Sequence, residues 1–237
     1  MKVDGLLHPV ISRNLKAVRQ RIAETCTRCG RDPDAVRLVC VSKTMGPDAV
    51  LLAIRAGADI FGENYIQEAR EKWGLFGRYP VSWHFIGHLQ TNKAKYAVKL
   101  FDLIHTVDSL RLAAELDREA RKIGKIQKIL IQVNIGKEAS KSGIDAESAE
   151  SLITGLGAFA NLSVRGLMTI PPFFDEPERV RPYFRGLRHL KDSLNAQGAG
   201  NARLDELSMG MTGDFEAAIE EGATLVRIGT AIFGERR

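Results

Sequence analysis

Apolar positions along the chain follow two periods. Leu7, Ile11, Leu15, Val18 and Ile22 recur at spacings of three and four, which predicts an amphipathic helix over residues 6–29, closed by Gly30 and Pro33. From Val36 onward, short apolar runs alternate with helical stretches. The runs at 36–41, 60–61, 83–86, 103–107, 129–133, 164–169, 206–209 and 225–228 read as strands. Helices are predicted between them over 48–56, 65–76, 91–99, 110–123, 146–156, 178–196 and 215–221. Asp108-Ser109 caps the fourth of these, and Pro171-Pro172 breaks the chain before the sixth.

Alternation of this kind means parallel strands joined by right-handed crossovers. Eight units in about 200 residues match the count and size of a closed (β/α)8 TIM barrel. The predicted fold is therefore α/β: one domain over residues 1–237, a single (β/α)8 barrel with 6–29 as an extra N-terminal helix. An open doubly wound sheet is the alternative. It would favour a glycine-rich first turn, and Ser42-Lys43-Thr44-Met45-Gly46 is not one. Gly155-Leu156-Gly157-Ala158-Phe159-Ala160 loosely fits a dinucleotide fingerprint, but it ends a helix instead of following a strand.

Composition excludes several classes. Hydrophobic residues make up 44% and charged residues 27%, the profile of a soluble globular protein. No apolar run reaches about 18 residues, so no membrane-spanning helix is expected, and no membrane partner. The first residues lack the apolar core of a signal peptide, which makes the cytoplasm the expected location. A net charge of +5 suits either nucleic acid or an anionic small ligand. The basic residues are mixed with acids and no aromatics interleave with them, so nucleic acid is not expected. The three cysteines are Cys26, Cys29 and Cys40. The Cys26–Cys29 pair lies near a helix end, without the further ligands of a zinc site or the strand-then-helix setting of a redox motif, and reads as packing. His84 and His88 straddle Gly87 outside any helix, so no metal site is expected.

In such barrels the chemistry sits at the C-terminal ends of the strands. Those ends carry Lys43, Glu63 and Asn64, His84, Asp108, Asn134, Met168 and Thr169, then Ser208 to Gly213, and Arg227 to Thr230. Most lysines are solvated surface charge. One held against apolar walls loses some preference for its charged form, and a neutral amine attacks carbonyls. The seventh and eighth loops offer Ser208, Gly210, Thr212 and Gly213, and Gly229 and Thr230. These are either plain turn residues or a phosphate cup, in which glycine lets backbone N–H groups approach an anion and hydroxyls add donors. Asp214 and Glu216 would repel a phosphate at the start of their helix, which puts the anion on the strand-eight side.

Strand eight neighbours strand one in a closed barrel. A phosphorylated aldehyde in the cup can therefore present its carbonyl to Lys43. Two chemistries fit: a Schiff-base aldolase acting on a sugar phosphate, or pyridoxal 5′-phosphate held by the lysine. Arg227 precedes Gly229 by two residues and shares its side of the strand. There it can face a pyridine nitrogen and weaken the ring as an electron sink, or form a salt bridge with a strand-end acid. His105 reads as structural.

The motifs as a set resemble the pyridoxal phosphate homeostasis proteins, a fold-type III group with a single alanine-racemase-like barrel. The resemblance rests on Val41-Ser42-Lys43-Thr44, Phe61-Gly62-Glu63-Asn64-Tyr65, Trp83-His84-Phe85-Ile86-Gly87 with Leu89-Gln90 and Asn92-Lys93, Gln132-Val133-Asn134, Gly166-Leu167-Met168, Leu207-Ser208-Met209-Gly210-Met211 and Val226-Arg227-Ile228-Gly229-Thr230 with Ile232-Phe233-Gly234. The one departure is Met45-Gly46 before Pro47, where many members carry a single residue. The resemblance implies that Lys43 carries pyridoxal 5′-phosphate as an aldimine, that Ser208, Gly229 and Thr230 hold the phosphate, and that Arg227 faces the pyridine nitrogen. It implies that Asn64, His84 and Met168 line the pocket. It further implies a monomeric carrier in cofactor homeostasis, without established catalysis, that passes the cofactor to pyridoxal-phosphate-dependent apo-enzymes. A slow amino-acid racemase is the alternative. Alanine racemases of this fold add a β-domain whose tyrosine serves as a catalytic group, and the chain is expected to lack it, since it ends soon after its eighth strand.

Overall fold

A computed structural model describes residues 7–138, 141–199 and 202–235. Helix α1 (Leu7–Arg28) leads into β1 (Arg37–Val41), followed by α2 (Pro47–Arg55), β2 (Ile60–Glu63), α3 (Ile66–Phe76), β3 (Ser82–Phe85) and α4 (Ala94–Leu100). The alternation continues through β4 (Leu103–Val107), α5 (Leu110–Lys122), β5 (Gln127–Gln132), α6 (Ala149–Leu156), β6 (Leu162–Met168) and α7 (Arg181–Gln197). It ends with β7 (Glu206–Ser208), α8 (Phe215–Glu220), β8 (Leu225–Ile228) and a short α9 (Thr230–Phe233).

The strands are parallel and close in sequence order, with β8 paired back onto β1 so that Val39 lies opposite Arg227. This is the predicted (β/α)8 barrel with its extra helix. Strand β2 runs two residues further than its apolar pattern suggests. Gly62 and Glu63 are weak strand formers, but they pair with His84 and Phe85 on β3.

Alternation along each strand builds two cores. Val39, Ile60, Leu103, Leu130, Met168 and Leu225 point inward and pack together inside the barrel. Their neighbours Cys40, Phe61, Ile104 and Val226 point outward and join the helices in a second, larger core. Towards the C-terminal ends the interior turns polar. Two residues beyond Leu103 and Leu225, on the same strand faces, stand His105 and Arg227.

Helix α1 lies against α2, α8 and α9, outside the seam where β8 meets β1. Ile11, Leu15, Val18 and Ile22 are buried there, as their spacing predicts. Asn14 Nδ2 donates to the Ile232 carbonyl at 3.1 Å, and Arg28 pairs with Glu220 at 2.7 Å. Cys26 is buried and Cys29 half-buried against this core, both as free thiols. Among the described residues no group of three or more His, Cys, Asp or Glu is placed to hold a metal. No described helix is long and apolar enough to cross a membrane.

Candidate functional site at the barrel mouth

Val39, Val41 and Lys43 alternate onto one side of the chain. Val39 packs inside the barrel, while Val41 and Lys43 line a cavity of about 390 Å3 at the C-terminal ends of the strands. Beyond β1 the chain turns at once: the Met45 N–H donates to the Ser42 carbonyl at 3.0 Å. Within this turn Thr44 has φ +65°, in the left-handed region that a β-branched residue adopts only at a cost. Helix α3 holds it there, since Glu68 Oε2 accepts from the Thr44 N–H at 2.8 Å.

A second anchor lies beneath the same turn. Lys72 Nζ donates to the Ser42 carbonyl at 2.6 Å and to Glu63 Oε1 at 2.7 Å, and Ser42 Oγ donates to that same oxygen at 2.5 Å. All three residues are buried. Burial pushes the Glu63 carboxyl above its usual range, and the Lys72 ammonium opposes that shift. Glu63 thus faces the helix layer, not the barrel interior. Lys72 carries only a weak signal in the sequence. Its signal was a lysine at helical spacing from Ala69 and Phe76, the residues that α3 buries beside it.

The opposite wall is made by Thr212 and Gly213 after β7 and by Gly229 and Thr230 after β8. Gly210 turns the first loop with φ +91°, and a Cβ on it would lie 2.5 Å from the Ala218 side chain. Between the walls lies Arg227, only 4% exposed. Its guanidinium donates to Ser208 Oγ at 2.7 Å and to the Thr169 carbonyl at 2.9 Å. The salt bridge entertained for it is absent among the described residues. Burial draws its pKa down to about 10, with Asp214 opposing the shift, so it remains a cation at neutral pH. Asp214 also lines the cavity; its Oδ1 accepts from the Met211 N–H at 2.6 Å, and burial raises its carboxyl.

Under Arg227 runs a buried polar chain. His105 Nδ1 lies 2.8 Å from Ser208 Oγ, and His105 Nε2 lies 3.0 Å from His84 Nδ1. Burial pushes His84 down to about 3 and His105 well below the usual imidazole range, so both are neutral. A neutral imidazole offers one donor and one acceptor. Ser208 Oγ accepts from Arg227, so its own hydroxyl proton is partnered if it points to His105 Nδ1. His105 Nε2–H then donates to His84 Nδ1, and the chain has one direction.

Of the residues singled out from the sequence, Lys43, Asn64, Arg227, Gly229 and Thr230 line the cavity. Ser208, His84 and Met168 do not line it; they form the layer beneath, buried and packed or hydrogen-bonded. Their side chains follow the inward parity of their strands but lie one layer too deep. His105, read as structural, is the bridge between His84 and Ser208. Lys141 was missed: it enters from the loop after β5 and donates to the Pro171 carbonyl at 2.7 Å. Phe173 and Phe174 complete the rim, with Phe173 86% exposed.

Asn64 is fixed by close backbone contact. A Cβ on Gly87 would lie 2.2 Å from the Asn64 carbonyl oxygen, and Thr106 Oγ1 donates to the Gly87 carbonyl at 2.5 Å. Gly87→Ala is therefore expected to force β2 and β3 apart at the mouth. A stability loss of about 3 kcal/mol should be seen in urea denaturation.

The alanine racemase N-terminal domain family matches residues 13–237 of this chain. A pyridoxal phosphate homeostasis protein of Aquifex aeolicus is 45% identical over 223 residues, which cover 94% of this chain and 97% of the relative. The chain belongs to the pyridoxal phosphate homeostasis protein family. Within that family it is similar to PipY of Synechococcus elongatus, solved with PLP bound: 36% identity and a TM-score of 0.83 over 94% of this chain and 100% of the other. An alanine racemase of Clostridium difficile, 16% identical with a TM-score of 0.75, shares the fold; 57% of that longer chain is covered.

Proposed function

We propose that this homeostasis-family protein binds pyridoxal 5′-phosphate in the barrel-mouth cavity, holds it covalently through Lys43, and gives it up again to apo-enzymes that need it. The observation that carries this reading is the pairing of Lys43 with the β7 and β8 loops across one cavity, with a buried arginine between them. The cavity volume of about 390 Å3 is within the roughly 300–1,000 Å3 usual for small-molecule sites. The donors suit the cofactor's parts. Thr212, Gly213, Gly229 and Thr230 suit a phosphate, and the first N–H groups of α9 have no acceptor within their own helix. Asp214 lines the β7 side, which favours an anion held towards β8.

Pyridoxal 5′-phosphate supplies an aldehyde and a conjugated ring that can draw electrons from what is attached to it. The rest belongs to this chain. Lys43 is the residue that would hold the aldehyde: its amine would condense with it and release water, and hydrolysis would reverse the bond. Arg227, a cation at neutral pH, disfavours a proton on a ring nitrogen placed against it. That weakens the ring as an electron sink and suits storage better than proton abstraction. Ser208 acts through Arg227, whose guanidinium it orients from below. Among the described residues no tyrosine lines the cavity to act as a second acid–base group. The protein acts as a monomeric carrier in the cytoplasm and not as an enzyme.

The test is spectroscopic. The purified chain should be yellow with the visible band of a lysine-bound cofactor. Lys43→Ala should lose that band and hold pyridoxal 5′-phosphate only loosely on gel filtration. A wild-type chain that gains no band on adding the cofactor overturns the reading. Lys43-dependent exchange of amino-acid α-protons at substantial rates would replace the carrier with a racemase.

A further inference from the structure

Beside the cofactor cavity, at the same end of the barrel, lies a second crevice of about 430 Å3 between the β2–α3 and β3–α4 units. Its floor is apolar, formed by Ile66, Phe85 and Leu89. Its rim carries Arg70, Lys93 and His88 with the side-chain amides of Gln67 and Gln90, and among the described residues no aspartate or glutamate lines it. Many of the surface cations have carboxylate partners, as in Arg28–Glu220 at 2.7 Å, Arg37–Glu206 at 2.5 Å and Lys122–Glu119 at 2.6 Å. Among the described residues Arg70 and Lys93 have none within salt-bridge distance. The Arg70 guanidinium instead stacks over the Tyr96 ring at 4.9 Å, with the Lys95 ammonium 4.7 Å from the same ring. Their field registers on Tyr96 itself. Its phenol is drawn below the usual range by a hydrogen bond from Lys95 and by the charges of Lys95, Arg70 and Lys93.

The crevice is joined to the cofactor cavity through Asn64, which lines both and whose buried Oδ1 has no partner. Arg70 comes from the outer surface of α3 and Lys93 from the 3-10 turn that opens α4, so nothing in the sequence places them together. In the sequence, Lys93, Lys95 and Lys99 look like a solvated helix face. The fold separates them: Lys93 lines the crevice and Lys95 packs over Tyr96, while Arg70 joins from the neighbouring helix.

We propose that this crevice is a second binding site, for a small organic anion built on a flat apolar ring, with the ring against Ile66 on the apolar floor and the anionic group on Arg70 and Lys93. A guanidinium matches the paired oxygens of a phosphate or a carboxylate, and an ammonium adds an unspecific positive charge. An uncharged ring would gain only the floor, and a bare inorganic anion only the rim. The site does not depend on the covalent chemistry of Lys43.

Pyridoxine 5′-phosphate tests the proposal because it has no aldehyde and cannot be attached to a lysine. It is titrated calorimetrically into the full chain saturated with pyridoxal 5′-phosphate, with phenylpyruvate as a parallel carboxylate probe and inorganic phosphate as the ring-free control. One further equivalent of at least one ring-bearing anion should bind, and whichever binds identifies the anionic group. Arg70→Met and Lys93→Met should each weaken it about tenfold, while the visible cofactor band stays unchanged. The proposal is overturned if neither ring-bearing probe binds the loaded chain, if binding ignores both substitutions, or if inorganic phosphate binds as tightly as the ester. The same titration on cofactor-free chain should keep the Arg70-dependent equivalent. Failure of cofactor attachment at Lys43 and failure of this site are thereby read separately.

Discussion

Lys72→Met should lower the stability of the protein by about 3–5 kcal/mol, a fall in melting temperature on the order of 10 °C for a domain of this size. The cost comes from what the substitution leaves behind. Glu63 stays buried with Ser42 Oγ donating to Oε1, and its Oε2 is already without a partner. Without the ammonium at 2.7 Å the carboxylate has no neighbouring cation among the described residues. It then titrates higher still, because burial already pushes it up. A carboxyl raised in the folded state takes up its proton before the unfolded chain does, so the variant's deficit grows as pH rises and shrinks towards the ordinary carboxylate range. The double variant Glu63→Gln with Lys72→Met removes the stranded charge and should recover part of the loss. Urea denaturation of the two variants at neutral and mildly acid pH measures both effects; a double variant no more stable than the single one would show that the charge is not the cause. Because Lys72 also anchors the Ser42 carbonyl, next to Lys43, cofactor retention should fall in the single variant even at temperatures where it is folded.

Acid should unfold this protein earlier than its carboxylates alone would require. His84 is drawn down to about 3 and His105 well below the usual imidazole value, both mainly by burial in the barrel. The unfolded chain protonates both histidines below about pH 6.5, whereas the native state takes up neither proton until far lower. Native stability is therefore unaffected by these groups above that pH and is lost as pH falls below it. Each group contributes a slope of about 1.4 kcal/mol per pH unit. Together they remove about 5 kcal/mol between pH 6.5 and 4.5, comparable to the whole stability of a marginal domain. Denaturation free energies across that window should show the slope, and His84→Gln should reduce it by about half. A flat wild-type profile from pH 6.5 to 4.5 would mean that the two imidazoles are not held neutral.

Most of the architecture was legible in the chain. The boundaries at 103–107 and 225–228 agree with the structure to the residue, because each run is short, mostly apolar and followed by a polar or glycine residue. The shortfall at Gly62 and Glu63 has a physical cause: neither residue favours a strand, and only pairing with β3 makes them one. The parity of Arg227 with Gly229, and of Val41 with Lys43, was also recoverable, since side chains alternate along a strand whatever it packs against.

Depth was not recoverable. Ser208, His84 and Met168 sit on inward faces near strand ends, and parity alone makes them pocket residues. How far each lies below the mouth depends on the stagger of neighbouring strands, such as Met168 beside Ser208 and Ser208 beside Leu225, and that is set by closure of the whole sheet. Contacts between separate elements were equally hidden. Lys72 reaches the turn after β1 from α3, and Arg70 meets Lys93 from the next unit, across sequence distances that no local pattern spans.

The sequence by itself determined the barrel, the lysine at the end of its first strand and the glycine- and hydroxyl-rich loops facing it, because these follow from periodicity and strand order. The tertiary structure alone decided which polar groups touch the cavity and which lie under it. It alone supplied the buried ion pair that holds the Lys43 turn, and it alone gathered Arg70 and Lys93 into a second crevice. Those outcomes depend on packing distances between elements, and packing distances are written only in the closed fold.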